Sequence, residues 1–233
     1  MGFIVKNTTF PGLLDLLAPH HCRGCGRLGE PICHRCKNNI ILDFHNHCPN
    51  CKSLNPTGKC PKCNALPPTF VVSERTDLIA HAIDDLKFNS TRALARPLAE
   101  ILDEIIPVID GQVEIVPLPT IARHVRARGL DHTLAVTKHL AKLRGSRYTV
   151  NRLIVRAKDT VQIGADRKTR LAQAAEAYKL SPGASIDPDI TYLLFDDVWT
   201  TGASIKATVK LLKSSGAQKI IVAVLARATL SRR

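Results

Sequence analysis

The sequence predicts an α/β protein in which a parallel sheet is flanked by helices and preceded by a small cysteine-rich module. Three observations carry that expectation. From Asp77 onward, helical stripes of apolar residues alternate with short apolar runs of strand length. The run Ile190-Thr191-Tyr192-Leu193-Leu194-Phe195 is apolar on both faces, as a strand in the middle of a parallel sheet must be. All eight cysteines lie between Cys22 and Cys63, in four C-x-x-C pairs, so they form a module of their own. A chain of 233 residues has room for one α/β domain and such an appendage. With 45% hydrophobic but only 4% aromatic residues, the core must be built from Leu, Ile, Val and Ala.

The first segment, 1–20, carries Leu13, Leu14, Leu16 and Leu17 on helical spacing after Pro11, which predicts a short amphipathic helix. It lacks the basic start and uninterrupted apolar core of a signal peptide, and no stretch of the chain approaches a membrane span. A cytoplasmic location without membrane insertion is therefore expected.

Segment 21–66 is the cysteine module. In a reducing compartment, such a grouping means metal rather than disulfides. The two-residue gap of each pair lets a tight turn aim both thiolates at one ion, and two such knuckles complete a tetrahedral shell. Gly24, Gly26, Pro49 and Pro61 supply the turn chemistry. Cys22, Cys25, Cys33 and Cys36 would form one site and Cys48, Cys51, Cys60 and Cys63 the other, each similar to a zinc ribbon. An interleaved pairing of the first knuckle with the third satisfies the same spacing. Up to two Zn2+ ions are expected, structural because a closed shell leaves no open position, and the module's folding would depend on them. His20, His21, His34, His45 and His47 are bystanders when eight thiols are at hand. A redox dithiol reading suits a lone C-x-x-C but not four together.

Pro67-Pro68 marks the boundary to the second domain, 70–233. Leu78, Ile79, Ala82, Ile83 and Leu86 predict a helix over 77–88, with Thr76 as its N-cap. A second helix is expected over 91–106, with Pro97 early in it and a stop at Pro107. Val113 to Val116 reads as a strand, broken by Pro117-Leu118-Pro119. The basic stretch Arg123 to Arg128 leads to an amphipathic helix through Leu134, Val136, Leu140 and Leu143. Leu153 to Arg156 reads as another strand, followed by a helix over 165–177. The strand Leu193 to Asp196, the helix Ala203 to Ser215 capped by Gly216, and the strand Ile220 to Leu225 complete the alternation.

The formal net charge is +13, and it is concentrated: residues 120–170 hold thirteen Arg and Lys against three acids. Such an excess attracts polyanions, whether nucleic acid, phosphorylated metabolites or pyrophosphate.

The apolar strand near the C-terminus ends in Asp196-Asp197, followed by Val198-Trp199-Thr200-Thr201-Gly202-Ala203-Ser204 and a helix start. At the C-terminal end of a parallel strand, this segment faces the crevice where open α/β folds bind ligands. Its backbone N–H groups and hydroxyls at a helix N-terminus suit a phosphate, and without a Gly-Lys pair it is not a Walker loop. The two carboxylates suit vicinal hydroxyls or a divalent cation.

This segment resembles the phosphoribosyl pyrophosphate (PRPP) signature of type I phosphoribosyltransferases. The resemblance implies that Asp196 and Asp197, the catalytic pair, take the ribose hydroxyls. It implies that Thr200, Thr201, Gly202, Ala203 and Ser204 take the 5′-phosphate, with Mg2+ bound alongside PRPP. It further assigns Pro117, Leu118, Pro119 and Thr120 to the pyrophosphate side, with Lys87, Arg126 and Arg128 as leaving-group and lid residues.

The whole chain is similar to the ComF competence-protein family: phosphoribosyltransferase-like chains with an N-terminal double zinc ribbon. The residues that carry this are the cysteine pairs, Leu86-Lys87-Phe88, Val116-Pro117-Leu118-Pro119, Arg126-Ala127-Arg128-Gly129, Arg156 with Thr160 and Gln162, Ala177-Tyr178, the Asp-Asp signature and Val224-Leu225-Ala226-Arg227. Two departures stand out. The chain has Leu130-Asp131-His132 where the family usually reads Phe-Asn-Gln, and Gln173 where it commonly has Asn. These positions would cover the second substrate, so the acceptor and its turnover stay open. The resemblance implies a phosphoribosyltransferase acting on an unidentified nitrogen nucleophile and connected to DNA uptake. A non-catalytic accessory protein that binds single-stranded DNA and works with competence proteins, or a PRPP sensor, would use the same scaffold. His124 and His132 are available as bases, although a surface histidine is commonly no more than that.

Overall fold

The computed structural model describes residues 20–55, 57–74, 77–89, 91–157 and 177–228. The expected N-terminal helix, the Thr76 cap, Thr160, Gln162, Gln173 and nearly all of the helix expected over 165–177 lie outside them. Among the described residues, no helix is long and apolar enough to cross a membrane.

Five parallel strands form the main sheet: β3 (Thr69–Glu74), β4 (Val113–Pro117), β5 (Tyr148–Val150), β8 (Thr191–Trp199) and β9 (Lys219–Arg227). Their spatial order is β3-β9-β8-β4-β5, and each adjacent pair runs parallel. The central place of β8 follows from its composition. Leu193 and Phe195 face one core with Ile115, Ala223 and Leu225, while Tyr192 and Leu194 face the other with Val116, Val222 and Val224. All four β8 side chains are fully buried, each worth about 1.5–3 kcal/mol in apolar transfer. Only a strand covered on both faces can bury such an alternation.

One face is covered by α2 (Asp77–Phe88), α3 (Ala95–Ile105) and α5 (His132–Arg144), and the other by α6 (Ala203–Ser214). The helix expected over 91–106 is divided. Pro97 has no N–H for the carbonyl four residues back, so the chain enters α3 through a 3-10 turn at Arg92–Leu94, with Leu94 N–H donating to the Thr91 carbonyl at 3.0 Å. The short helix α4 (Ala122–Arg128) buries none of its residues. Contrary to the expected alternation, Ile154–Arg156 (β6) does not join the main sheet. It pairs antiparallel with β7 (Tyr178–Leu180), because β5 already occupies the sheet edge beside β4.

The cysteine module consists of β1 (His20–His21), β2 (Leu28–Gly29), α1 (His34–Leu42) and the loops up to Leu66. It packs against the sheet domain, with Cys22, Ile32, Cys36 and Ile40 in the same core as α2 and α3. His45 N–H donates to the Val72 carbonyl at 3.1 Å, so the module also covers the outer edge of β3.

Candidate functional site

The connections diverge between β4 and β8: the chain leaving β4 crosses over to β5 on one side, and the chain leaving β8 crosses to β9 on the other. Open α/β sheets bind ligands at such a switch point, outside the carboxyl ends of the strands. Pairing of β4 with β8 stops at Pro117 opposite Phe195, and the last tie is Leu118 N–H to the Phe195 carbonyl at 2.8 Å. β8 runs on beside β9, with Asp196 opposite Val224 and Trp199 opposite Arg227. Asp196 and Asp197 therefore sit within an extended strand rather than in a turn. Continued pairing with β9 on one edge holds them extended, while the other edge has lost β4.

Asp197 is buried at 7% exposure and held from two sides. Lys87, near the C-terminal end of α2, and His132, the first residue of α5, both meet its Oδ2, the imidazole Nε2 at 2.7 Å. Burial alone would raise this carboxyl. The His132 hydrogen bond and the Lys87 charge outweigh it and hold Asp197 far below the usual carboxylate range. Asp196 is displaced the other way, pushed up to about 8 by burial and then by the charge of Asp197. At neutral pH the pair thus carries close to one negative charge, and its protons belong to both groups. His132 is itself 5% exposed, and its Nε2 is the ring nitrogen turned toward Asp197.

Lys87, Thr120, His132, Asp196, Asp197 and Ser204 line a cavity of about 250 Å3, and Arg128, which stacks on Phe88 at 4.6 Å, also borders it. Leu118, Pro119, Thr120 and Arg156 line both this cavity and a neighbouring one of about 590 Å3, where Pro117, Arg126 and Arg152 lie. Of the residues expected at the site, the fold thus gathers the acids, Lys87, Leu118, Pro119, Thr120, Arg128 and Ser204. Arg126 and Pro117 face the neighbouring depression instead. Thr200, Thr201 and Gly202 form the adjoining loop and Ala203 opens α6, and none of them lines the smaller cavity.

That loop opens α6. Gly202 is its N-cap in the left-handed region at φ 72°. A Cβ there would lie 2.1 Å from the Trp199 ring, so both backbone conformation and space demand glycine. Thr201 Oγ1 accepts the Ala203 N–H at 3.3 Å, and Gly202 offers no side chain as a cap, so further first-turn N–H groups of α6 stay available to an anion.

The residue that sequence reasoning undervalued is His132. Its signal was positional: Asp131 caps α5 by accepting the Leu134 N–H at 3.2 Å, and a residue directly after an N-cap, following a Pro-broken strand, is aimed at that strand's end of the sheet.

The cysteines gather into two groups in sequence order, Cys22, Cys25, Cys33 and Cys36, and Cys48, Cys51, Cys60 and Cys63, with all ligand atoms within 4.8 Å of one another. The interleaved alternative is excluded. Four sulfurs at about 2.3 Å from a tetrahedral zinc stand about 3.8 Å apart. The Cys25–Cys33, Cys48–Cys63, Cys51–Cys60 and Cys60–Cys63 separations are 3.7, 3.8, 3.5 and 3.7 Å. Within each group the thiols are driven apart. Burial pushes Cys36 and Cys48 up to about 12, whereas Cys22 falls to about 6 because N–H donors from Cys33, Cys25 and Gly24 outweigh its burial. Four thiolates at this spacing need a cation, so the residues fit Zn2+. None of the histidines belongs to either group; His45 instead faces Glu74 at 3.3 Å.

The class of protein is thus an α/β domain with a five-stranded parallel sheet, an acid pair at its switch point and a glycine-opened helix beside it, preceded by two four-cysteine groups that fit a double zinc ribbon. No family model matches the sequence. The chain is similar to competence protein F of Haemophilus influenzae, 25% identical over 218 residues that cover 89% of this chain and 90% of that protein. That likeness extends nearly end to end. Among solved structures, a hypoxanthine phosphoribosyltransferase from Staphylococcus aureus is similar at 13% identity and a TM-score of 0.32, over 66% of this chain and 65% of that protein's length.

Proposed function

We propose that this protein binds PRPP at the switch-point crevice and transfers its phosphoribosyl group to a nitrogen nucleophile. The observation that carries this reading is an oppositely perturbed acid pair, Asp197 buried and Asp196 partly so, with a glycine-opened helix start one loop away. Carboxylates accept from a vicinal diol, and helix N–H groups donate to a phosphate, so the two ends of a phosphorylated pentose match the two ends of the crevice. In the transfer, the bond from the anomeric carbon to the pyrophosphate oxygen breaks, a bond to nitrogen forms, and the nitrogen releases its proton. Asp196 and Asp197 would hold the ribose, and the negative charge of Asp197 would favour the positive charge that develops on the sugar. Lys87 and Arg128 border the same cavity and would receive the charge of the leaving pyrophosphate. Mg2+ entering with PRPP would screen that charge; the acids and the donor's own oxygens fit it. Zn2+ would fill both cysteine groups as a structural ion.

The likeness to competence protein F supports a link to DNA uptake. The second reading, a single-stranded DNA-binding accessory role, is favoured by α4, where Arg123 and Arg126 are exposed on a helix that buries nothing. Titration of the protein with PRPP and Mg2+, followed by the fluorescence of its single tryptophan, Trp199, tests the first reading directly. Saturable binding that is lost in the double variant Asp196→Asn, Asp197→Asn is expected, and pyrophosphate release with a panel of amines and bases separates an enzyme from a sensor. Absence of binding at millimolar PRPP would refute the reading. Salt-dependent oligonucleotide binding, lost on neutralising Arg123 and Arg126, would support the second.

A further inference from the structure

Two of the four cysteine knuckles reach across to the two helices that shape the crevice, one to each. Between Cys22 and Cys25, Arg23 Nε lies 2.7 Å from Asp85 Oδ2 on α2. Next to it, Gly24 sits so close to α2 that a Cβ would come within 3.0 Å of Leu78 and 2.7 Å of Cys36 Sγ. Leu78 and Asp85 are seven residues apart and share a face of the helix, whereas Lys87, two residues beyond Asp85, stands about 200° further round. The first metal knuckle therefore grips α2 from one side while Lys87 meets Asp197 on the other.

The second link is built the same way. Between Cys48 and Cys51, Asn50 donates from Nδ2 to Cys63 Sγ at 3.7 Å and accepts at Oδ1 from Lys206 Nζ at 2.6 Å. Lys206 lies in the first turn of α6, directly behind the Gly202 cap, and its N–H closes that turn on the Gly202 carbonyl at 2.9 Å. One side chain thus joins a metal-ligand sulfur to the helix start that would take the 5′-phosphate. Such outer-shell contacts orient metal ligands, and here they also orient the other end of the contact.

We infer that the metal module is a working part of the donor site: Arg23 and Asn50 are positioning residues that set Lys87 and the phosphate-side helix start, respectively. The inference rests on the proposed PRPP reading. It explains why a metal module with closed shells packs into the core of a phosphoribosyltransferase-like domain instead of standing off on a linker, and it makes donor affinity depend on groups remote from the donor.

The test uses the full chain with both sites loaded, in parallel zinc and cobalt forms, the cobalt–thiolate absorption reporting that both shells are intact. PRPP–Mg2+ affinity is read from Trp199 fluorescence for Arg23→Ala, Asn50→Ala, Lys206→Met and the double variant Asn50→Ala, Lys206→Met. Each single change is expected to weaken binding about 2- to 30-fold, the range for residues that couple to a site without touching its ligand, with the cobalt spectrum retaining both shells. The double variant should be no weaker than its weaker parent, because both changes cut one link. The charge exchange Arg23→Asp with Asp85→Arg should restore affinity lost in Arg23→Ala, which a merely destabilising change would not allow. Wild-type affinity in the single variants, additive losses in the double variant, or failure of the exchange would each overturn the inference. If the wild-type protein itself does not bind PRPP, the donor reading falls first, so the two failures are distinguishable.

Discussion

Replacing Asp196 with Asn should make this protein more stable, and increasingly so as the pH rises. In the folded state, burial and the neighbouring Asp197 charge push the Asp196 carboxyl up to about 8 from 3.8. A carboxyl raised on folding contributes its full stability below its unfolded value and loses it as the pH climbs through the folded value, because the folded protein resists the ionisation that the unfolded chain completes. Each unit costs about 1.4 kcal/mol, so ionisation of Asp196 removes stability on the order of 4 kcal/mol between pH 5 and pH 8. Asn abolishes that term and keeps the side-chain oxygen that accepts the Asp197 N–H at 2.9 Å. For a chain of this size the gain at pH 8 over that at pH 5 corresponds to a difference of about 8–16 °C in melting temperature. Urea unfolding at both pH values, with Zn2+ saturating so that thiol ionisation cancels between the two proteins, checks this through Trp199 fluorescence. If wild type and variant show parallel pH profiles, Asp196 is an ordinary carboxylate and the electrostatic account of the crevice fails.

Three further outcomes are expected. Asp197→Asn should destabilise the fold by about 3–5 kcal/mol, because it leaves the Lys87 ammonium against an amide; urea unfolding reads it, and donor binding should fall as well. His132→Leu should cost about 1.5–3 kcal/mol by removing a hydrogen bond to a charged group, whereas His132→Gln, which keeps a donor toward Asp197, should retain most of that stability. Gly202→Ala should cost more than the roughly 1–2 kcal/mol of a left-handed alanine, since its Cβ meets the Trp199 ring, and a shifted Trp199 emission spectrum should accompany the loss.

Much of the fold is legible in the sequence, and the exceptions share a physical cause. The knuckles, β8, α6 and β9 announce themselves because spacing, two-faced burial and capping are local properties. β3 and β5 lie at the sheet edges, where a short strand needs no two-faced apolar run, and Thr69 to Glu74 registered only as the start of a domain. The strand character of Asp196 and Asp197 depends on where a different strand stops. His132 and Lys87 come from helices 45 residues apart, and nothing local tells that α2 ends and α5 begins over the same carboxylate. The departure Leu130-Asp131-His132 is likewise legible only in space: Leu130 packs on the core, Asp131 caps α5 and pairs with Arg152 at 2.8 Å, and His132 meets Asp197.

The placement of the acids follows from unequal strand lengths. Pairing of β4 with β8 ends at Phe195, where Leu118 N–H is the last donor, whereas β9 follows β8 to Trp199. The space that β4 vacates is filled by the C-terminal end of α2 and the N-terminal end of α5, and both bring positive charge: an ammonium from the first, and from the second the partial charge of a helix start with an imidazole N–H. The donors that fill this gap hold Asp197 low, while burial and the neighbouring Asp197 charge push Asp196 up. A longer β4 would take the place of the Lys87 and His132 donors beside Asp197 and close the crevice. The electrostatic asymmetry of the acid pair is thus a consequence of where one strand ends and its neighbour continues.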